Sequence, residues 1–332
     1  MSRPRATRTA LATSLVLALW LAAAAGAHAQ RLSMTRALDG TLFGGEPGFA
    51  VRIGERALQG PVNAVFVMPG TSVTLRVTDV PTAADLSLAT YGFGPPPRRL
   101  GDAWRWQVPR TPGLYPISLR NRATGGEMRI NVFVKTPFDA RESQLNGYDI
   151  GRYEPTARAR DPHSAPPRGL VEVTPTNASV AVSPHFSLGD FLCHQQPEHW
   201  PKYVLIRPAL LDKLEHIRGA LIAAGVAPNA VVIMSGYRTP WYNADIGNTT
   251  VYSQHLFGSA ADIFVDADAD GEMDDLDADG AITLADAEWL ADLVETVTAT
   301  EPDLAGGLSA YPGNAYHGPF VHIDVRGQAV RW

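Results

Sequence analysis

The spacing of apolar residues changes character once along this 332-residue chain, and that change limits the folds open to it. From about residue 31 to 136, apolar and polar side chains alternate. Val73-Thr74-Leu75-Arg76-Val77, Tyr115-Pro116-Ile117-Ser118-Leu119 and Met128-Arg129-Ile130-Asn131-Val132-Phe133-Val134 are such runs. Turn residues divide them at Pro69-Gly70, Pro112-Gly113 and Gly125-Gly126. A period of two sends successive side chains to opposite faces of a strand. Short alternating strands with frequent turns predict an all-β sandwich of immunoglobulin type over 31–136. No ionisable cluster there reads as catalytic, so the expected role is a spacer or binding module.

Residues 137–183 are rich in proline, arginine and glycine. Pro155, Pro162, Pro166, Pro167 and Pro175 rule out a long helix, and the segment is expected to be an extended linker packed along the surface. From residue 184 the pattern is mixed. Ser187-Leu188-Gly189-Asp190 offers a helix start. Leu210, Leu214, Ile217 and Leu221 follow helical spacing and predict a helix over 208–224. Val231-Val232-Ile233-Met234 reads as a buried strand, 284–298 as a late helix, and Phe320-Val321-His322-Ile323-Asp324-Val325 as the last strand. Residues 184–332 are therefore expected to form an α+β domain with an antiparallel sheet.

The first 29 residues read as a secretory signal peptide. Arg3, Arg5 and Arg8 precede an apolar stretch from Ala10 to Ala25 and the small-x-small site Ala27-His28-Ala29. The expected location is exported, periplasmic or extracellular, with no membrane span after cleavage; the apolar run is short for a spanning helix. Cleavage removes three arginines, leaving 25 basic against 34 acidic side chains and a net charge near −9. Such a balance argues against a nucleic-acid partner. Cys193 is the one cysteine, which excludes an internal disulfide and a multi-cysteine metal site. Its neighbours Phe191 and Leu192 mark it as core.

Three groups converge on one chemistry: Ser253-Gln254-His255-Leu256-Phe257-Gly258-Ser259-Ala260-Ala261-Asp262, Ser235-Gly236-Tyr237-Arg238, and Tyr316-His317-Gly318-Pro319-Phe320-Val321-His322-Ile323-Asp324. A catalytic zinc takes three protein ligands and keeps one position open. His255, Asp262 and His322 could supply two nitrogens and an oxygen. Strand geometry aims Asp324 at the same face as His322, where it could orient that ligand. The His-x6-Asp spacing alone also occurs without a metal, and a histidine in a terminal strand is often structural.

In this order, Ser-x-His-x-x-Gly-x-Ala-x-Asp, the preceding Ser-Gly-Tyr-Arg and the terminal Val-His-Ile-Asp-Val-Arg resemble the D-Ala-D-Ala carboxypeptidase and endolysin group of zinc peptidases. That group shares a fold with lysostaphin-type enzymes and the hedgehog signalling domain. The resemblance covers about residues 184–332. It implies a zinc peptidase acting on peptidoglycan stem peptides or crosslinks, as carboxypeptidase or endopeptidase. His255, Asp262 and His322 are then the zinc ligands, and Arg238 holds a substrate carboxylate or the developing oxyanion. One departure matters. Many relatives carry Asp or Glu three residues before the last histidine ligand, as general base, where this chain has Pro319. His317 is the expected substitute, with Tyr316 and Asp324 in reserve. A catalytically weak, hedgehog-like binding module is the alternative. No protein partner is indicated.

An acidic segment follows. Asp266-x-Asp268-x-Asp270-Gly271 opens like an EF-hand loop, with Asp274 and Asp277 at its ninth and twelfth places. Asp275-x-Asp277-x-Asp279-Gly280 repeats it, with Asp286 twelfth. Alternate carboxylates and a glycine turn suit calcium, and the second loop resembles those of dockerin modules. The expectation is structural calcium that steadies the zinc site, against a solvated loop or a dockerin-like adhesion device.

Overall fold

The computed structural model describes residues 46–79, 85–91, 95–154 and 165–332. The expected signal peptide lies outside them. Among the described residues no helix is long and apolar enough to cross a membrane.

The N-terminal part consists of two sheets. One holds β1 (Ala50–Ile53), β2 (Arg56–Leu58), β4 (Ser72–Thr78), β6 (Arg98–Leu100) and β7 (Ala103–Gln107) in the order β2-β1-β4-β7-β6. The other holds β3 (Val62–Val67), β5 (Leu86–Thr90), β8 (Gly113–Asn121) and β9 (Glu127–Val134) in the order β3-β9-β8-β5, with β3 and β9 parallel. The alternation in β4 is the cause: Val73, Leu75 and Val77 point inward while Ser72, Thr74 and Arg76 stay exposed or nearly so. These three pack with Trp104, Trp106, Ile117, Leu119 and Ile130 into one core shared by both sheets. Each such side chain contributes about 1.5–3 kcal/mol by leaving water.

The segment expected to be a surface linker has a different role. It forms the short strands β10 (Thr136–Pro137), β11 (Gln144–Leu145), β12 (Tyr148–Asp149) and β13 (Gly169–Val173), and β13 lies between β10 and β14 (Lys202–Val204). Phe138, Tyr148, Ile150, Tyr153, Leu170 and Val173 are buried in the same core as the C-terminal helices. Proline excludes helix from this segment, but extended chain can still bury alternate side chains, and these large ones do.

The C-terminal sheet is ordered β15-β16-β18-β17-β19, from β15 (Val231–Ser235), β16 (Ala260–Val265), β17 (Gly307–Tyr311), β18 (Phe320–Asp324) and β19 (Val330–Arg331). It is antiparallel except for the β17–β19 pair, which is parallel and so departs from the expected all-antiparallel sheet. Helices α1 (Pro208–Ala223), α2 (Pro240–Asp245) and α3 (Leu284–Thr300) complete this part. α1 starts on Pro208 and buries Leu210, Leu214, Ile217 and Leu221. The helix start at Ser187 yields a single 3-10 turn, Leu188–Phe191, closed by the Asp190 carboxylate accepting from Ser187 N at 2.7 Å.

This sheet is two-faced. Ala261, Ile263, Leu308, Val321 and Ile323 join the core that also holds α1 and α3, with α3 packed on β17 and β18. The period of two therefore sends Asp262, Ser309, Phe320, His322 and Asp324 to the other face. The two parts of the chain are tied by Arg56, which donates to both carboxylate oxygens of Asp212 on α1, at 3.1 and 2.6 Å.

Candidate metal centre

Asp262 on β16 stands directly across from His322 on β18. A bulge in β15 shifts Ser235 to lie opposite Asp262 as well. His255 enters from the 3-10 turn Gln254–Phe257 that precedes β16. The three ligand candidates, 67 positions apart from first to last, meet in one buried spot. His255 Nε2 is 3.2 Å from Asp262 Oδ1 and 3.2 Å from His322 Nδ1, and His322 Nδ1 is 2.9 Å from Asp262 Oδ1.

The partners of the other ring nitrogens fix what these atoms offer. His255 Nδ1 lies 2.7 Å from Gly236 O, which can only accept, so Nδ1 carries the proton and Nε2 presents a lone pair. His322 Nε2 faces Asp324 Oδ2 at 3.4 Å, so Nδ1 presents its lone pair. Three electron pairs thus converge at 2.9–3.2 Å, an arrangement that repels itself without a cation or proton between them. Tetrahedral zinc with bonds of about 2.0–2.1 Å has ligand–ligand edges of about 3.3–3.4 Å. Donor type and number fit zinc, and the three atoms stand slightly closer together than its edges require.

Without a metal the charges of the cluster depend on one another, and a proton on His322 is the alternative to a cation. Burial draws the His255 imidazole below its ordinary range despite Asp262, keeping it neutral. Burial alone would raise the Asp262 carboxyl, but His255 and His322 hold it well below the usual carboxylate range. For His322, burial is outweighed by Asp262 and Asp324, and its pKa is raised. Arg238 donates through Nη2 to Asp262 Oδ2 and through Nε to Ser235 Oγ at 2.8 Å. The residue expected to meet substrate therefore also braces a metal-ligand candidate.

Asp324 is fully buried and heavily tied down. Gly307 N donates to Oδ1 at 2.7 Å, and Arg326 grips both oxygens. Burial would raise its carboxyl, but His322, Arg326 and the Gly307 N–H pull it down. Gly306 and Gly307 make room for it: a Cβ on either would collide with Asp324. Below, Lys213 of α1 donates Nζ to Asp324 O at 2.9 Å and Leu304 O at 3.1 Å, and burial lowers its pKa to about 8. Arg326, Lys213 and the glycine pair went unassigned in the sequence. Of these, only Arg326 carried a signal, as the last residue of Val-His-Ile-Asp-Val-Arg.

His317 is not brought into this cluster. Its Nδ1 lies 2.8 Å from Gly318 O, its Nε2 lies 2.7 Å from Asn314 Nδ2, and its ring meets Phe320 edge-on at 5.1 Å. The carbonyl fixes the proton on Nδ1, leaving Nε2 as the basic nitrogen. Tyr316 is 95% exposed, away from any buried chemistry.

The acidic segment folds into two near-copies. Asp266 accepts from Asp270 N and Gly271 N at 3.1 and 3.0 Å; Asp275 accepts from Asp279 N and Gly280 N at 3.1 and 2.8 Å. Gly271 and Gly280 take φ of 93° and 91°, the left-handed turn that glycine permits. Asp266, Asp268 and Asp274 bring carboxylate oxygens within 4.8 Å of one another, as do Asp275, Asp277 and Asp286. Asp270 and Asp279 instead accept from Glu272 N and Ala281 N, each at 2.8 Å. Asp286 also closes the capping box of α3 by accepting from Thr283 N at 2.7 Å.

Two histidines and an aspartate from one turn and two strands, backed by a buried carboxylate, form a group that could hold a metal ion. Residues 184–276 match the Peptidase M15 family, a family of zinc peptidases. The matched stretch contains Arg238, His255 and Asp262 and stops short of His317, His322 and Asp324. No curated protein and no solved structure matches the chain.

Proposed function

We propose that this chain is an exported zinc metallopeptidase that hydrolyses peptide bonds in peptidoglycan stem peptides or crosslinks. The convergence of His255 Nε2, Asp262 Oδ1 and His322 Nδ1, with their other atoms bound to Gly236, Arg238 and Asp324, supports the zinc part of the reading; the peptidoglycan substrate and export rest on the sequence motifs and the N-terminal pattern. Zinc held by these three supplies Lewis-acid chemistry and acidifies water. The protein's own residues do the rest. Asp324 keeps His322 in its ligating tautomer. Arg238 orients Asp262 and retains Nη1 for a substrate carboxylate or a developing oxyanion. His317 is the proposed base, and to act it must exchange the Asn314 amide at Nε2 for the reacting water and move toward the cluster.

Purified peptidoglycan digested with the zinc-loaded protein, beside His255→Ala, tests this. Products seen by mass spectrometry only with the unmutated protein name the bond and distinguish carboxypeptidase from endopeptidase. Pro319 favours a second reading, a hedgehog-like binding module. No products from a protein retaining one equivalent of zinc would establish it.

Two further assignments accompany the proposal. The acidic loops hold structural calcium, with Asp266, Asp268, Asp270 and Asp274 in the first and Asp275, Asp277, Asp279 and Asp286 in the second; the spacing and the glycine turns support this. The two-sheet N-terminal unit is an immunoglobulin-like spacer or binding module.

A further inference from the structure

Aromatic side chains that take no part in holding the centre border it on the β17 side. The Trp332 ring lies 5.3 Å from the His322 ring, and the Arg326 guanidinium lies 5.4 Å from the Trp332 ring. Trp332 Nε1 donates to Tyr311 Oη at 2.5 Å, and Ser309 Oγ donates to Trp332 O at 2.6 Å. Tyr311 stacks on Phe320 at 4.8 Å and 9°, and His317 extends the row beyond Phe320. Strand register explains the row: Ser309 and Tyr311 stand opposite His322 and Phe320, on the face that carries the centre.

This row is held in place yet open. Trp332 is 55% exposed although bonded at both its ring nitrogen and its carbonyl. Residues 311–320 contain no Asp, Glu, Lys or Arg, and Arg326 and Arg331 are paired with Asp324 and Glu295. The row thus offers an exposed aromatic ring with a hydroxyl (Tyr311), an amide (Asn314) and an imidazole (His317) on its margin. A neutral ring with an apolar C–H face and a polar rim matches it.

We propose that this row is a subsite for a saccharide ring attached to the peptide substrate, with Trp332 as its specificity-determining residue. The identity of the substrate rests on the peptidoglycan reading above; the exposure of Trp332 and its closeness to His322 do not. The test is calorimetric titration of the zinc-loaded full chain with a hydrolysis-resistant, reduced-amide stem tetrapeptide, with and without an N-acetylated aminosugar disaccharide. The unmutated protein should bind the saccharide-bearing ligand about 10-fold more tightly, the scale of one aromatic contact. Trp332→Ala should abolish that preference, while Trp332→Phe keeps most of it. Equal affinity of the two ligands for the unmutated protein, or binding of neither, overturns the proposal. So does an equal loss for both ligands in Trp332→Ala, which would mean that Trp332 acts through His322. Cleavage measured alongside separates the two ideas. Preference without cleavage of native substrate fails the peptidase reading and leaves the subsite; cleavage without preference does the reverse.

Discussion

The buried centre and the acidic loops both gather groups that could hold a metal, but they are built in opposite ways. The centre draws His255, Asp262 and His322 from a turn and two strands, and each side chain is aimed by a partner outside the trio. The loops draw neighbouring carboxylates from one short stretch, and their negative charge is met by main-chain N–H groups of the same stretch. Their carboxyls respond accordingly. Asp262 is held down by the two histidines, whereas partial burial, followed by Asp268, Asp266 and Asp270, pushes Asp274 up. A site on a sheet is preorganised by the whole fold. A site on a loop costs little structure and depends on its ion.

The contrast is most easily broken at the centre. His322→Ala should lower peptide hydrolysis by about 10³-fold or more, since Lewis-acid stabilisation amounts to several kcal/mol. Metal analysis should show bound zinc falling from one equivalent to none, with the calcium response intact. Zinc retained at full occupancy would place the metal elsewhere. A smaller effect belongs to the partner behind the ligand: Asp324→Asn should weaken zinc affinity by about 10–100-fold in competition with a chelator. An unchanged affinity would show that His322 is oriented by the sheet alone.

The loops should behave differently. Calcium at millimolar concentration should raise the melting temperature by about 2–4 °C for each kcal/mol of binding free energy. Asp266→Asn combined with Asp275→Asn should abolish the rise while zinc stays bound. A calcium response that survives the double substitution would remove the loops from the comparison. The smallest effect is in pH. The folded Asp274 carboxyl titrates above its ordinary 3.8, so without calcium the native loop binds a proton more tightly than the unfolded chain. Stability is then gained as pH falls through the folded value, levels off below 3.8, and is absent at neutrality. Hydrogen-exchange protection over residues 266–283, measured relative to the intrinsic rate at each pH, should rise between pH 7 and 4 in the calcium-free protein; protection that falls on acidification would refute the assignment.

Much of this was written locally. Alternation in Ser72–Thr78, the apolar stripe of Pro208–Ala223, the glycine turns at Gly271 and Gly280 and the ligand set at His255, Asp262 and His322 can all be read from short stretches, because each depends on backbone periodicity or a motif. The burial of Phe138, Tyr148, Ile150, Tyr153, Leu170 and Val173 could not be read that way. They fall at irregular intervals, and their burial is decided by the helices and strands they meet. Nor could the bracing of Asp262 by Arg238, the grip of Arg326 and Gly307 on Asp324, or the approach of Trp332 to His322. By itself the sequence determined which residues could bind a metal and which segments alternate. Tertiary structure alone decided which tautomer each histidine presents and which face of the sheet is open. Those properties depend on carbonyls, carboxylates and rings that lie across strand pairings and far along the chain.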